Sequence, residues 1–324
     1  MRKAVLEVCP EASDPLAAPG VSNFVFLMAH SFSGSTLLSF LLGAHPEIAT
    51  VGEMYISPSF NTGSYLCSCG KAIDECPFWC RVSQEMADRG VPFNIRSGDA
   101  SFRNDSIGSF VSRLIAAEPH SPLFEAARQA AYRLLPKTRR EVERRLRVNE
   151  ALVQVVTEMQ GAKAFVDASK RPGRLLLLRR IPAFDTRVIF LIRDGRAVAR
   201  SSIRNLGRTV EEGAQSWAAL IQSAERVRRR FTPDRWLTVR HEDLCRDPQS
   251  ELSRIFRFIG VAPDVQVRDF RSSDHHIIGN RMRLSKTSEI RLDDRWRTEL
   301  TPAQIRTVET IAGPELRRYG YEVG

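Results

Sequence analysis

The sequence predicts an α/β protein with a mostly parallel central sheet flanked by helices. Three observations carry that prediction: short apolar runs recur along the chain, helical patterns separate them, and a small glycine-containing polar loop follows the first run. With 324 residues the chain can bury a sizeable core, and 43% hydrophobic with 27% charged residues is ordinary for a globular protein.

The first run, Asn23 to Ala29 (NFVFLMA), is continuously apolar, as in a strand covered on both faces. Ser35 to Ala44 reads as a helix with leucines on most sides, ended by His45-Pro46. Further strands are expected at Ile48 to Val51, Ala164 to Val166, Val188 to Ile192 and Leu237 to Val239. Helices are expected at Thr138 to Gln160, Ala197 to Asn205, Glu211 to Phe231, Gln249 to Ile259 and Pro302 to Tyr319. Residues 1–22 read as an N-terminal extension and residues 23–324 as a single domain. From about residue 54 to 160 no strand pattern stands out. That arginine-rich stretch is expected to be a mostly helical insertion covering the active site.

A formal net charge of +10 comes mainly from arginine, the side chain suited to bidentate binding of phosphate and sulfate. Charge alone leaves nucleic acid, acidic membrane and anionic nucleotide open as partners. The N-terminal segment has no apolar core of signal-peptide length, and no run reaches the ~18 apolar residues of a membrane span. A cytoplasmic protein is the expectation. Of six cysteines, Cys67, Cys69, Cys76 and Cys80 fall within fourteen residues (CSCGKAIDECPFWC). In a reducing compartment they are candidates for a structural zinc site or for plain thiols, although CxC followed by Cx3C is not a usual zinc spacing.

The loop HSFSG between a buried strand and a helix opening on Ser35-Thr36 is an anion site in outline, because backbone N–H groups and the helix dipole converge there. Set against GxxxxGK[ST], Ala29 stands at the first glycine, Gly34 matches the second, Ser35 replaces the lysine and Thr36 matches. The fold is thus P-loop-like, but an NTPase without that lysine lacks its main contact to the outer phosphates. Ser33, Gly34, Ser35 and Thr36 are the candidate phosphate-holding residues.

A ten-residue helix carries the chain ~15 Å away from the loop, and a return strand of five or six residues brings it ~17 Å back, so Glu53 should stand level with the loop. The same carboxyl edge of the sheet would gather Asp167, Ser169 and Lys170, then Arg193, Asp194 and Arg196, then His241 and Glu242. An acid, a lysine and arginines around an anion loop describe a group-transfer site.

HSFSGSTLL followed by AHPEIATVGE resembles the 5′-phosphosulfate loop and next strand of sulfotransferases that use 3′-phosphoadenosine 5′-phosphosulfate (PAPS), especially the tyrosylprotein sulfotransferases and bacterial relatives. FLIRDGRAVARSS resembles their 3′-phosphate motif, VDASKRP their lysine-bearing loop, VRHEDL the strand and turn after the long helix, and HHIIGNRMRL the late loop that closes on the nucleotide. The resemblance runs from about Asn23 to Trp296. It implies that PAPS is the cosubstrate and that Arg193 and Ser201 hold its 3′ phosphate. It further implies nucleotide contacts from Gly279, Asn280 and Arg283, with Glu53 as the base and Lys170 as the cation on the leaving oxygen. No catalytic metal is implied. The acceptor would be a hydroxyl or amine of a small molecule, carbohydrate, lipid or peptide. Where the family usually has lysine or arginine before Ser-Gly, this chain has Phe32, so His30, Lys170 or an arginine of the insertion is expected to supply the charge. His275 and His276 read as loop residues rather than bases.

Two other readings compete. A P-loop kinase would use Asp167, at the end of KAFVD, to hold Mg²⁺. A noncatalytic relative or a basic nucleic-acid binder would need none of this chemistry, although no nucleic-acid partner is expected.

Overall fold

The computed structural model describes residues 22–56, 65–103, 108–119 and 121–324. The expected N-terminal extension lies outside the described residues, except for Ser22, which opens the first strand.

Five parallel strands form one sheet in the order β2-β3-β1-β4-β5: β1 (Ser22–Ala29), β2 (Ile48–Thr50), β3 (Ala164–Lys170), β4 (Phe184–Ile192) and β5 (Trp236–Arg240). In β1 the period of two explains the continuous apolar run. Phe24, Phe26 and Met28 face one core with Phe165 and Phe190. Val25, Leu27 and Ala29 face the other with Val166, Ile189 and Leu191.

Helices cover both faces. Helix α1 (Ser35–Gly43) is buried on nearly every side, as its leucines predict. Between β2 and β3 lie α2 (Pro77–Asp88), α3 (Ser109–Ala116), α4 (Pro122–Leu134) and α5 (Pro136–Met159). The last of these buries Leu152, Val153, Val155 and Val156 in the same core as Phe165, so it is also the crossover helix returning the chain to the sheet. Then follow α6 (Pro172–Leu178), α7 (Gly195–Leu206), α8 (Val210–Arg228), α9 (His241–Arg246), α10 (Pro248–Ile259), α11 (Trp296–Glu299) and α12 (Pro302–Arg318). Capping boxes start α8 at Thr209/Glu212 and α12 at Thr301/Gln304.

Two strands are longer than their apolar runs. β3 continues through Asp167, Ser169 and Lys170, and β4 begins at Phe184 rather than Val188. In β3 the polar residues are tolerated because Asp167 is fully buried against Arg174 of α6, Nε to Oδ2 at 3.1 Å.

Candidate active site

At the carboxyl end of β1 the chain turns through His30–Gly34 into α1. Gly34 has φ +91°, and a Cβ there would lie 2.5 Å from His241 Nδ1, so only glycine fits. No side chain caps α1, leaving its first-turn amides at Ser35 and Thr36 to serve an external acceptor. The Ser33 hydroxyl is buried with no hydrogen-bond partner among the described residues. Directly above, a Cβ on Gly279 would meet Thr36 Oγ1 at 2.9 Å, so the late loop rests against this turn.

A cavity of about 510 Å³ opens beside the loop, walled by His30, Ser31, Phe32, Glu53 and Lys170 among others. Glu53 and Lys170 form an ion pair across it. The expected level placement of Glu53 is observed: its amide donates to Ile278 O at 3.0 Å while its carboxylate reaches the loop's cavity. Phe32 and Lys170 both have positive φ, +67° and +69°, and are the described non-glycine residues that do. Such backbone conformations are sparsely populated, and here both occur in one wall.

The insertion contributes Tyr55, Tyr65 and Glu118 to this cavity. Its arginines do not line it among the described residues, so of the three expected sources of positive charge His30 and Lys170 are at the cavity and an arginine of the insertion is not. The cations there are Lys170 at the end of β3, Arg171 just after it, and Arg208 from the turn between α7 and α8. His30 bonds through Nε2 with Ser216 Oγ at 3.0 Å. Burial, reinforced by Arg208, Arg171 and Lys170, lowers its pKa to about 4. Burial likewise lowers the pKa of His241 to about 3.

On the far side of the loop, Arg193 at the end of β4 donates through Nη1 to Phe32 O at 2.8 Å and through Nη2 to Asp293 O at 2.6 Å, while its Nε is buried without a partner among the described residues. The Asp293 carboxylate collects Arg295 at 2.7 Å, Arg200 at 3.1 Å and Arg193 at 3.7 Å. Those guanidinium groups, Arg295 foremost, hold its carboxyl well below the usual range. Ser201 lies on α7 with its hydroxyl donating to Ala197 O at 2.9 Å, outside that cluster. Nothing in the sequence singled out Asp293, and Arg200 was hidden inside the 3′-phosphate motif.

In the late loop, Arg283 donates to Leu66 O at 2.8 Å and Gly279 O at 2.9 Å and stacks over Tyr65, whose hydroxyl bonds Gly279 O at 3.0 Å. Asn280 caps the turn after it through Met282 N. Gly279 and Asn280 line the cavity, whereas Arg283 supports the loop from behind. His275 is a loop residue as expected, its Nε2 bonded with Phe270 O at 2.6 Å.

The four-cysteine set is corrected. Cys80 is exposed on α2, its Sγ on Asp74 O at 3.3 Å, because Trp79 and Val82 take the buried side of that helix. His276 stands in its place: its Nδ1 and the sulfurs of Cys67, Cys69 and Cys76 all lie within 4.8 Å of one another. Asp167, the kinase reading's Mg²⁺ ligand, is fully buried, with Oδ1 accepting from Ser169 N and Oδ2 from Arg174.

Fold and strand-edge site together define a P-loop-like α/β protein with an uncapped anion loop beside an acid–lysine pair. Residues 109–264 match the model of the sulfotransferase family. Carbohydrate sulfotransferase 5 of Mus musculus is 29% identical over 168 residues, which is 43% of this chain and 42% of that protein. Carbohydrate sulfotransferase 6 of Homo sapiens is 26% identical over 168 residues, with the same shares of 43% and 42%. The chain therefore spans less than half the length of these curated relatives. The sulfotransferase domain of the Synechococcus PCC 7002 olefin synthase superposes with a TM-score of 0.56 at 20% identity, covering 95% of this chain and 98% of that one. The sulfotransferase domain from the curacin biosynthetic pathway gives 0.53 at 18% identity, covering 94% and 99%. These two likenesses show the fold. The resemblance carried by the loop and strand motifs is borne out: in sequence and in fold the chain is similar to sulfotransferases.

Proposed function

We infer that this chain transfers a sulfonyl group from PAPS to a hydroxyl or amine of an acceptor held in the cavity beside Glu53. The observation that carries the reading is the meeting, in one cavity, of the turn leading into an uncapped helix and the Glu53–Lys170 pair. The buried Ser33 hydroxyl and the buried Arg193 Nε, both without partners among the described residues, suit a ligand with an anionic group at each end.

When bound, PAPS supplies the sulfonyl group and departs as adenosine 3′,5′-bisphosphate. Amides of Ser33 to Thr36 hold its 5′ end. Arg193, with Ser201 after a change of rotamer, receives its 3′ phosphate. Gly279 and Asn280 close over it, braced by Arg283. Glu53 takes the acceptor's proton as the acceptor oxygen or nitrogen bonds to sulfur and the bond from sulfur to the leaving phosphate oxygen breaks. Lys170 then turns from Glu53 to balance the charge on that leaving oxygen. His30, held neutral and weakly basic by burial, is the poorer base.

Two of the curated relatives are named for carbohydrates, and the tyrosines, Glu118 and arginines of this cavity suit a hydroxyl-rich acceptor. The kinase reading is disfavoured because Arg174 already occupies the Asp167 carboxylate. The deciding experiment incubates the protein and PAPS with a saccharide-containing metabolite extract and seeks, by mass spectrometry, a mass gain of one sulfonate. Products that appear only with ATP and Mg²⁺ would sink the proposal.

A further inference from the structure

Outside the transfer site, three sulfurs and one imidazole from distant parts of the chain meet in a small cluster. Cys67 and Cys69 sit on a tight turn closed by the Gly70 amide on Cys67 O at 2.9 Å and the Cys67 amide on Lys71 O at 2.9 Å. Cys76 immediately precedes α2, and His276 arrives from the late loop, 200 residues further on.

Three of the six edges are close to those of a tetrahedron, and all four atoms lie within 4.8 Å of one another. With zinc–sulfur bonds of about 2.3 Å and zinc–nitrogen bonds of about 2.05 Å, the edges should be about 3.8 Å between sulfurs and about 3.6 Å between sulfur and nitrogen. Cys69 Sγ lies 3.7 Å from Cys76 Sγ. His276 Nδ1 lies 3.3 Å from Cys76 Sγ and 3.7 Å from Cys67 Sγ. All three cysteines are free. The other ring nitrogen, Nε2, faces Asp274 Oδ1 at 3.2 Å, the kind of partner that fixes the tautomer of a metal-binding imidazole. Phe78 stacks on the His276 ring with centroids 4.4 Å apart and holds it in place.

We propose that Cys67, Cys69, Cys76 and His276 bind a structural zinc ion, which clamps the start of the insertion to the late loop. Three thiolates and an imidazole select zinc by softness and geometry and leave no open coordination position for chemistry. The exposed Cys69 gives the ion a way in. The clamp acts beside the transfer site. The Ser68 hydroxyl donates to His275 O at 2.7 Å and receives from Ile277 N at 2.8 Å, and the next residue, Ile278, bonds with Val51 and Glu53 just past β2, on either side of Gly52. Zinc would thus hold the wall that carries Gly279 against Thr36, whatever reaction the cavity performs.

Elemental analysis of the full chain, purified without added metal, tests this directly. About one zinc per chain is expected, kept in Cys80→Ser, lost in Cys69→Ser and His276→Ala, and regained in His276→Cys. Wild-type protein without metal, or zinc that leaves with Cys80→Ser and stays with His276→Ala, overturns the site. Should His276→Ala fail to fold, Cys80→Ser and His276→Cys still decide, since both should keep the metal. Removing zinc by chelation should also speed amide exchange at Ile277 and Ile278. Unchanged exchange in the stripped protein would refute the clamp.

Discussion

Lys170 and Glu53 are paired across the cavity, the lysine from the last position of β3 and the glutamate just past β2, although the residues are 117 apart in sequence. The pairing keeps both side chains at the cavity wall, where either can be handed to a ligand.

Glu53→Gln preserves shape and removes the base. Turnover should fall ~10²- to 10⁴-fold, the usual worth of a general base, while the affinity for adenosine 3′,5′-bisphosphate stays within about threefold. Steady-state kinetics and calorimetric titration separate the two. Loss of nucleotide binding in parallel would assign Glu53 to support of the loop, and full turnover would remove it from the chemistry.

Asp293 already pairs with Arg193, the arginine proposed for the 3′ phosphate, and with Arg200 and Arg295. A bound phosphate must compete with it for Arg193. Arg193→Ala should weaken binding of the bisphosphate ~10- to 200-fold, the loss of ~1.5 to 3 kcal/mol in charge-assisted hydrogen bonds. Asp293→Asn should strengthen binding by about fivefold, because a neutral amide is the weaker rival. Weaker binding in Asp293→Asn would mean that the aspartate organises the loop for the nucleotide instead of standing in for its phosphate.

Much of this architecture could be read from local pattern. The strand at Phe24 to Ala29 is apolar on both faces, and Gly34 followed by Ser35-Thr36 marks the turn after it, so the fold and the anion loop were legible. The end of β3 was not, because Asp167, Ser169 and Lys170 look like a loop until Arg174 and Glu53 are seen to satisfy them. In the sequence His276 reads as an ordinary loop residue, since its partners lie 200 or more positions away and no local spacing joins them. Tyr65 and Arg208 carry no motif, and only the packing of the late loop and of α8 brings them to the cavity. Ser201 was named from its motif, whereas its hydroxyl faces its own helix here.

Acid should destabilise the fold through its buried histidines. His30 has a folded pKa of about 4 against an ordinary value of 6.5, so the unfolded chain binds the proton first. The stability linked to His30 is complete above pH 6.5 and declines as pH falls toward 4. Between pH 7 and pH 5 this amounts to about 2 kcal/mol. His241, at about 3, extends the same trend to lower pH. Urea unfolding at pH 7, 6 and 5 should show His30→Gln losing less stability over that range than the wild type. Parallel losses in the two proteins would mean that His30 is protonated equally in both states.

The Asp167–Arg174 pair separates a structural carboxylate from a metal-binding one. Both side chains are buried, and Arg174 also donates to Ala100 O at 2.7 Å and Asn149 Oδ1 at 2.5 Å, which ties β3 to the insertion. Removing one partner strands a buried charge. Asp167→Ala should therefore cost ~3 to 5 kcal/mol of stability. Asp167→Ala with Arg174→Met should recover a large part of that loss, because no unpaired charge is then left in the core. Chemical unfolding of the single and double variants gives the comparison directly. In the same samples, Mg²⁺ should leave the wild-type melting temperature unchanged. A magnesium-dependent rise that disappears with Asp167→Ala would restore this carboxylate to a metal site and with it the kinase reading.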